Sequence, residues 1–410
     1  MREDCLCIPL RGGLSSTMRT LIVSDLHLGS LTRSDLLRRE QLRRPLLQAA
    51  EQADRLVLLG DVLELRHGPM RDALAAARPL FEELGRALAG RELVLVAGNH
   101  DHALVEPWLA ARGVEAVPPP LGLEQTIEPE RCSRALARIA EWARPARTRV
   151  AYPGLWVRPD VYAMHGHYLD CHLTVPTIER LTVGAMTRVL GRPASAFTRV
   201  EDYESTLAPL FAWRDAVSRE ASTGAALNGM ATVSAWEALR GEHRVGAGVR
   251  AVLAGRLRRL AARAGFPLAV GALNRAGMGP LRTQLSLEEL RRAGLLAMGE
   301  VAARLGLGDA YVVFGHTHRA GPLPGDHQPE WRGRQGARLL NTGSWTYSNI
   351  FLAAAPRSSP YWPGGCVTVE DDGPPAVDCL LRNCERAQIA PEPGGDARPR
   401  RRAAGAPAAV

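Results

Sequence analysis

The sequence predicts an α/β protein with its functional residues at the C-terminal ends of its strands. The first observation is five short apolar runs of the buried-strand kind, each ending in a turn that carries Asp, Asn or His. Leu21-Ile22-Val23 leads into Ser24-Asp25-Leu26-His27, and Leu56-Val57-Leu58-Leu59 into Gly60-Asp61. Leu93–Ala97 leads into Gly98-Asn99-His100-Asp101, Val161–Met164 into His165-Gly166-His167, and Tyr311–Phe314 into Gly315-His316-Thr317-His318. The second is the helical spacing of apolar residues between several of these runs, the alternation of an α/β chain whose ligands sit outside the strand ends. The third is size: 410 residues with 46% hydrophobic content can bury a substantial core.

In chain order, residues 1–17 are polar and glycine-containing and are expected to be flexible, with Met18 a candidate start just before the first strand. Ser34 to Ala53 reads as a helix capped by Ser34 or Asp35, with Leu36, Leu37, Leu42, Leu46 and Leu47 as its inner stripe and Pro45 as a kink. A second strand (Arg55–Leu59), a loop (Glu64–Pro69), a helix near Met70–Ala89 and the third strand follow. Trp108–Val117 reads as a short helix and strand, and Glu130–Ala143 as a helix. Pro153-Gly154 reads as a tight turn between strands Val150–Tyr152 and Leu155–Val157. From Asp170 to Leu307 the strand signal vanishes and Ala, Leu, Arg and Gly recur at helical spacing. The expected organisation is one domain made of 18–169 and 308–385, split by a helical insertion at 170–307. Strands resume at Tyr311–Phe314, Arg338–Leu340, Cys366–Glu370 and Val377–Leu381, and residues 386–410 read as a disordered basic tail.

All 51 basic residues are Arg, against 43 acids. Without lysine, Schiff-base chemistry and a Walker-type phosphate loop are excluded. The net charge of +8 is concentrated in two segments: Asp170 to Asp309, with 18 Arg and 13 acids, and Arg386 to the last residue, with 5 Arg and 2 acids. The rest of the chain is neutral, so generic nucleic-acid affinity is not implied for it. Seven Cys include no C-x-x-C pair, residues 1–17 hold no apolar signal segment, and no apolar run is long enough to cross a bilayer. Reduced thiols and a cytoplasmic location are expected, with Cys171 a buried, inert thiol.

Asp25 and His27 lie two apart, as do His316 and His318; in an extended backbone such pairs point the same way and can bind one cation. One such pair alone is commonly just solvated. Asp61 can offer both carboxylate oxygens to two ions, Asn99 a neutral carbonyl oxygen, and His165 a further imidazole, with His167 an alternative to it. Seven ligands exceed what one ion takes from protein, so two metals are expected, clamping the attacking and leaving oxygens of an in-line displacement. The mixed oxygen and imidazole set suits manganese first, with iron, zinc or nickel as alternatives. Arg66 and His67, in the loop after Asp61, are candidate contacts to a substrate phosphate.

These five motifs, in this order, resemble the calcineurin-like metallophosphoesterase family. The resemblance implies a four-layer α-β-β-α sandwich of two mixed sheets. It implies Asp25, His27, Asp61 and His318 on one metal, and Asp61, Asn99, His165 and His316 on the other. It further implies attack on phosphorus by a hydroxide between the metals, with His100 as acid and Glu64 as the carboxylate paired with it, favouring its protonated form. Asn341-Thr342-Gly343-Ser344-Trp345 resembles a supporting segment of these enzymes. Within the family the pattern looks most like the UDP-2,3-diacylglucosamine diphosphohydrolase branch, except that His100 stands where that branch commonly has Arg.

The expected activity is hydrolysis of a phosphomonoester, phosphodiester or diphosphate, on a small molecule or a lipid-linked substrate. A DNA or RNA nuclease and a non-catalytic metal-binding scaffold are the alternatives. From His243 to Ser286 there are eight Arg and no acid, with Val249, Leu253, Leu257 and Leu260 forming one apolar stripe. That helix is expected to pack as a cap with Arg facing water, or to meet an anionic partner, a membrane surface or a substrate with several phosphates, as a lid beside the site.

Overall fold

Alternation along the apolar runs sorts the side chains of each strand onto two faces. Ile22, Val57, Leu59, Val94 and Val96 point one way, into a layer shared with Leu155, Val161, Ala163, Val313 and Leu340. Leu21, Val23, Leu56, Leu58, Leu93 and Leu95 point the other way, into the larger core under the helices. Strands buried on both faces read as the near-continuous Leu and Val runs seen in the sequence.

The computed structural model describes residues 18–113, 119–220, 266–283, 286–352 and 356–391. Expectations for 1–17, for the strand ending at Val117, for the stripe Val249, Leu253, Leu257 and Leu260, and for the tail after 391 lie outside the described residues.

The strands are β1 (Thr20–Val23), β2 (Arg55–Leu59), β3 (Glu92–Val96), β4 (Glu124–Ile127), β5 (Arg147–Arg158), β6 (Val161–Met164), β7 (Tyr311–Phe314), β8 (Arg338–Asn341), β9 (Gly365–Val369) and β10 (Ala376–Cys379). They form a mixed ten-stranded sheet in the order β10-β9-β1-β2-β3-β5-β6-β7-β8, with β4 on β5. The two expected mixed sheets are present and share one strand, β5, which makes the ladder continuous. Its first half pairs parallel with β3 (Val94 opposite Arg149), and its second half pairs antiparallel with β6 (Leu155 opposite Ala163). The expected turn at Pro153-Gly154 is therefore the middle of one long strand. Gly154 is required there, because a Cβ would collide with the Ala163 carbonyl and the Tyr162 hydroxyl.

The helices are α1 (Glu40–Glu51), α2 (Met70–Ala87), α3 (Glu106–Gly113), α4 (Pro129–Cys132), α5 (Arg134–Trp142), α6 (Ile178–Val189), α7 (Val200–Glu220), α8 (266–275), α9 (Leu287–Arg304), α10 (Asn349–Leu352) and α11 (Arg386–Ile389). The single helix expected over Glu130–Ala143 is broken at Ser133, whose hydroxyl caps α5 by accepting from the Leu136 amide. The helix expected from Ser34 starts with a 3₁₀ turn, Leu36–Arg38, before α1. Between His172 and Arg304 the described residues form helices and no strand.

Helix α7 is tied to the sheet by a buried polar cluster. Glu204 accepts from the Tyr152 hydroxyl at 2.7 Å and from the Tyr168 hydroxyl, and lies 3.4 Å from His102 Nε2. The start of the tail expected to be disordered is ordered: Arg39 donates to the carbonyls of Gln388, Ile389 and Ala390, and Ile389 is fully buried. No described helix is long and apolar enough to cross a membrane.

Candidate metal centre

The turns after β1, β2, β3, β6 and β7 converge. Backbone hydrogen bonds lace them together: Asp25 N to Gly60 O (3.1 Å), His27 N to Asp61 O (2.8 Å) and Gly315 N to His165 O (2.9 Å). Gly60 has φ +83°, and a Cβ on it would meet the His165 ring, so glycine is demanded both by conformation and by space.

The backbone of the candidate ligand residues is unusual. Among the described residues, Asp25 (φ 56°), His27 (47°), Asp61 (51°), His316 (63°) and His318 (58°) are in the left-handed region, joined only by Arg33 among non-glycines. Such conformations are unfavourable for these residue types and persist where the surroundings enforce them, most often at functional sites. This corrects the expected geometry of the two pairs. Asp25 and His27, and likewise His316 and His318, converge through paired left-handed turns beyond the strand ends rather than through extended alternation.

Second partners fix three imidazole tautomers. His165 Nδ1 donates to the Leu59 carbonyl at 3.0 Å. His27 Nδ1 faces Glu64 Oε2 at 3.1 Å, and His316 Nε2 faces both Asp170 oxygens at 3.2 Å. Each carboxylate or carbonyl takes the ring proton, which leaves the lone pair on the opposite nitrogen.

Those lone pairs point at other acceptors. His318 Nε2 lies 3.2 Å from both His27 Nε2 and Asp25 Oδ1, and His27 Nε2 lies 3.7 Å from Asp61 Oδ2. Asp25 Oδ1 is buried without a hydrogen bond. Beside this group, His165 Nε2 lies 3.2 Å from Asp61 Oδ2 and 3.0 Å from Asn99 Oδ1, which lies 3.1 Å from His316 Nδ1. Asp25, His27 and His318 form one cluster able to hold a cation, and Asp61, His165 and His316 another. Asp61 lies between them.

The donor chemistry fits divalent cations: carboxylate oxygens, an amide oxygen and imidazole nitrogens, without thiolates. Asn99 makes the point sharply. Its amide oxygen faces only acceptors, while its nitrogen faces the Arg66 guanidinium; turned over, the amide would donate to Asp61, His165 and His316 and accept from Arg66. The orientation that presents oxygen to the cluster is the one a cation stabilises. The cluster also calls for positive charge. Burial opposes a charge on His165, but Asp61 and Asp25 outweigh it and raise its pKa to about 9. Burial is likewise outweighed at His27 by Asp25 and Glu64, and at His316 by Asp170, and both are raised.

His100 lies at the edge of this centre, its amide donating to Asp61 Oδ1 at 2.7 Å. Its Nδ1 faces the Glu64 oxygens at 2.9 and 3.0 Å, as the paired roles of His100 and Glu64 require. Glu64 does act to favour a protonated His100, but it does not prevail. Burial, aided by Arg66, outweighs Glu64 and pushes the imidazole down to about 3. Glu64 is itself held well below the usual carboxylate range, since the hydrogen bonds from His100 and His27 work against its burial.

Arg66 does not reach the cleft as a phosphate contact. It is buried, its guanidinium donates to the Asn99 carbonyl and lies 5.6 Å from the Phe211 ring centre, so it braces the turn that carries Asn99. His67 does line the cleft, with Nδ1 3.3 Å from Ser30 Oγ. His167 is not among the converging ligands. It is buried against Tyr168 and Phe211, neither ring nitrogen has a hydrogen bond, and burial holds its pKa well down. Cys171 is buried, which pushes its thiol well up.

The segment Asn341–Trp345 supports the centre as expected of it. Thr342 Oγ1 lies 2.5 Å from Ser24 Oγ, which donates to Asp25 Oδ2, and the Trp345 amide donates to the Asp25 carbonyl at 3.0 Å. Two supporting residues escape sequence reasoning. Asp101 accepts from the amides of Gly98 (2.7 Å), Val62 (2.8 Å), Leu63 (3.2 Å) and Asp61 (3.3 Å), joining the turns after β2 and β3. Its presence in the Gly98–Asp101 turn is the available signal. Asp170, which orients His316, has none: the two are brought together across 146 positions only by the fold.

Residues 18–192 match the family model described as calcineurin-like phosphoesterase. The match ends before His316 and His318, which the geometry supplies. No curated protein matches the chain.

Proposed function

From the match of residues 18–192 to the calcineurin-like phosphoesterase model, of a family of metal-dependent phosphoesterases, we propose that the chain hydrolyses a phosphate ester with the help of two divalent cations, for both of which Asp61 would be a ligand. The observation that carries this reading is the convergence of Asp25, His27, His318, His165, His316 and Asn99 around Asp61, with carboxylate, amide and imidazole atoms facing one another and Asp25 Oδ1 buried without a hydrogen bond. Asp25, His27, Asp61 and His318 would hold one cation, and Asp61, Asn99, His165 and His316 the other. The chemistry such a pair supplies when bound is polarisation of the phosphoryl group and a nucleophilic water at neutral pH.

The chain's own residues do the rest. Glu64 holds the His100 ring through Nδ1–H, leaving Nε2 free for the leaving oxygen. His100 enters neutral. An anionic phosphoryl group arriving beside it opposes burial and Arg66, so that Nε2 takes a proton from solvent water, which His100 then gives to the leaving oxygen, returning the ring to its neutral form.

The test is turnover of p-nitrophenyl phosphate and bis(p-nitrophenyl) phosphate by manganese-supplemented protein. His100→Asn is expected to keep its metals and lose about 10²–10⁴-fold in kcat. Metal loss matching that of a ligand variant, or unchanged turnover, would contradict the assigned role; no turnover of either ester by metal-loaded wild type would contradict the activity.

A further inference from the structure

The cleft over the candidate metal centre has a volume of about 580 Å³, much more than a phosphoryl group fills. Its floor is polar, made by the converging Asp, Asn and His side chains. Its wall is a different surface. Leu173, Leu290 and Leu295 line it with Trp331, and Phe351 and Tyr361 stack there with ring centres 4.4 Å apart and planes at 8°. Leu290 and Phe351 are only half-buried, so apolar surface remains for a ligand to cover.

The charges in the wall are already matched. Arg291 lies 2.5 Å from Glu330. Arg319 is held by both Asp326 oxygens and lies 5.2 Å from the Trp331 ring centre, and Glu179 faces Arg214 at 3.5 Å. Both arginines among the described lining residues are thus paired with carboxylates, with Glu330 also facing Arg292, which does not line the cleft. A nucleoside diphosphate or a polynucleotide carries several anionic groups and is held by unmatched cations. This wall has none among its described arginines.

We propose that the site takes a phosphate ester with one phosphoryl group over the metal floor and an extended apolar remainder along the Leu173–Leu290–Phe351 wall. The proposal rests on the reading of the centre as a phosphoesterase and names its substrate class. Nucleotides are poor ligands in this account, because the wall offers their charges no partner.

Isothermal titration calorimetry of the manganese-loaded full chain tests it with non-hydrolysable alkylphosphonates from methyl to octyl, beside adenosine diphosphate and a short oligothymidylate. Octylphosphonate is expected to bind about 100-fold or more tighter than methylphosphonate, since each buried methylene strengthens binding by up to about fourfold. It is also expected to bind more tightly than either nucleotide. Leu290→Gln combined with Phe351→Ala should flatten the chain-length gradient to under about tenfold. The wild-type gradient decides the matter even if that variant fails to fold. Methylphosphonate binding with no gradient, or tighter binding of a nucleotide, overturns this inference and leaves the phosphoesterase reading standing. Binding of no phosphonate by metal-loaded protein overturns both.

Discussion

The floor and the wall of the cleft are built by opposite means. On the floor, five candidate ligand residues adopt left-handed backbone, each turn is hydrogen-bonded to its neighbour, and His27, His165 and His316 are oriented by a second partner. On the wall, side chains from α9, from the 3₁₀ turn that carries Trp331, and from Phe351 and Tyr361 present apolar surface without special backbone demands. Binding a cation requires atoms placed within tenths of an ångström, whereas covering apolar surface requires only area. The floor should therefore fail abruptly when altered and the wall by degrees.

The largest effect is expected at Asp61. Asp61→Asn removes the charge shared by both proposed cation sites, so metal analysis should show both ions weakened and turnover reduced by about 10⁴-fold or more. Loss of a single ion with the other intact would break the claim that Asp61 bridges. Asp170→Asn comes next. It leaves the donor set intact but loosens His316, and about 10–100-fold weaker metal binding is expected, with activity regained at high metal concentration. If excess metal restores nothing, Asp170 does more than orient its histidine. Phe351→Ala should have the smallest effect, about a fivefold rise in KM for an octyl ester, as expected when a half-buried ring is lost. A hundredfold loss there would erase the contrast between wall and floor.

The floor is far more legible in the sequence than the wall. Each ligand follows a short apolar strand, and a strand end is a local feature that periodicity reveals. Spacing misleads on why the pairs converge, because left-handed backbone at Asp25, His27, His316 and His318 leaves no trace in it. Pro153 and Gly154 look like a turn because these residues usually punctuate strands. In the fold they sit where β5 passes from one set of partners to another. The short β4, with its one buried residue Ile127, offers too little pattern to find. Arg66 looks like a phosphate contact because it neighbours the site in sequence, and only the fold turns it toward Asn99 and Phe211. Asp170 and the wall depend on contacts between distant segments, which no local pattern encodes.

Asp61 is proposed to be a ligand shared by two cations. Anomalous diffraction from manganese-soaked crystals, measured at the manganese edge, tests it most directly. Two peaks are expected about 3.5–4 Å apart, one among Asp25, His27 and His318 and the other among Asn99, His165 and His316, both within bonding distance of Asp61. A single peak, or one centred between His27, Glu64 and His100 instead, would contradict it.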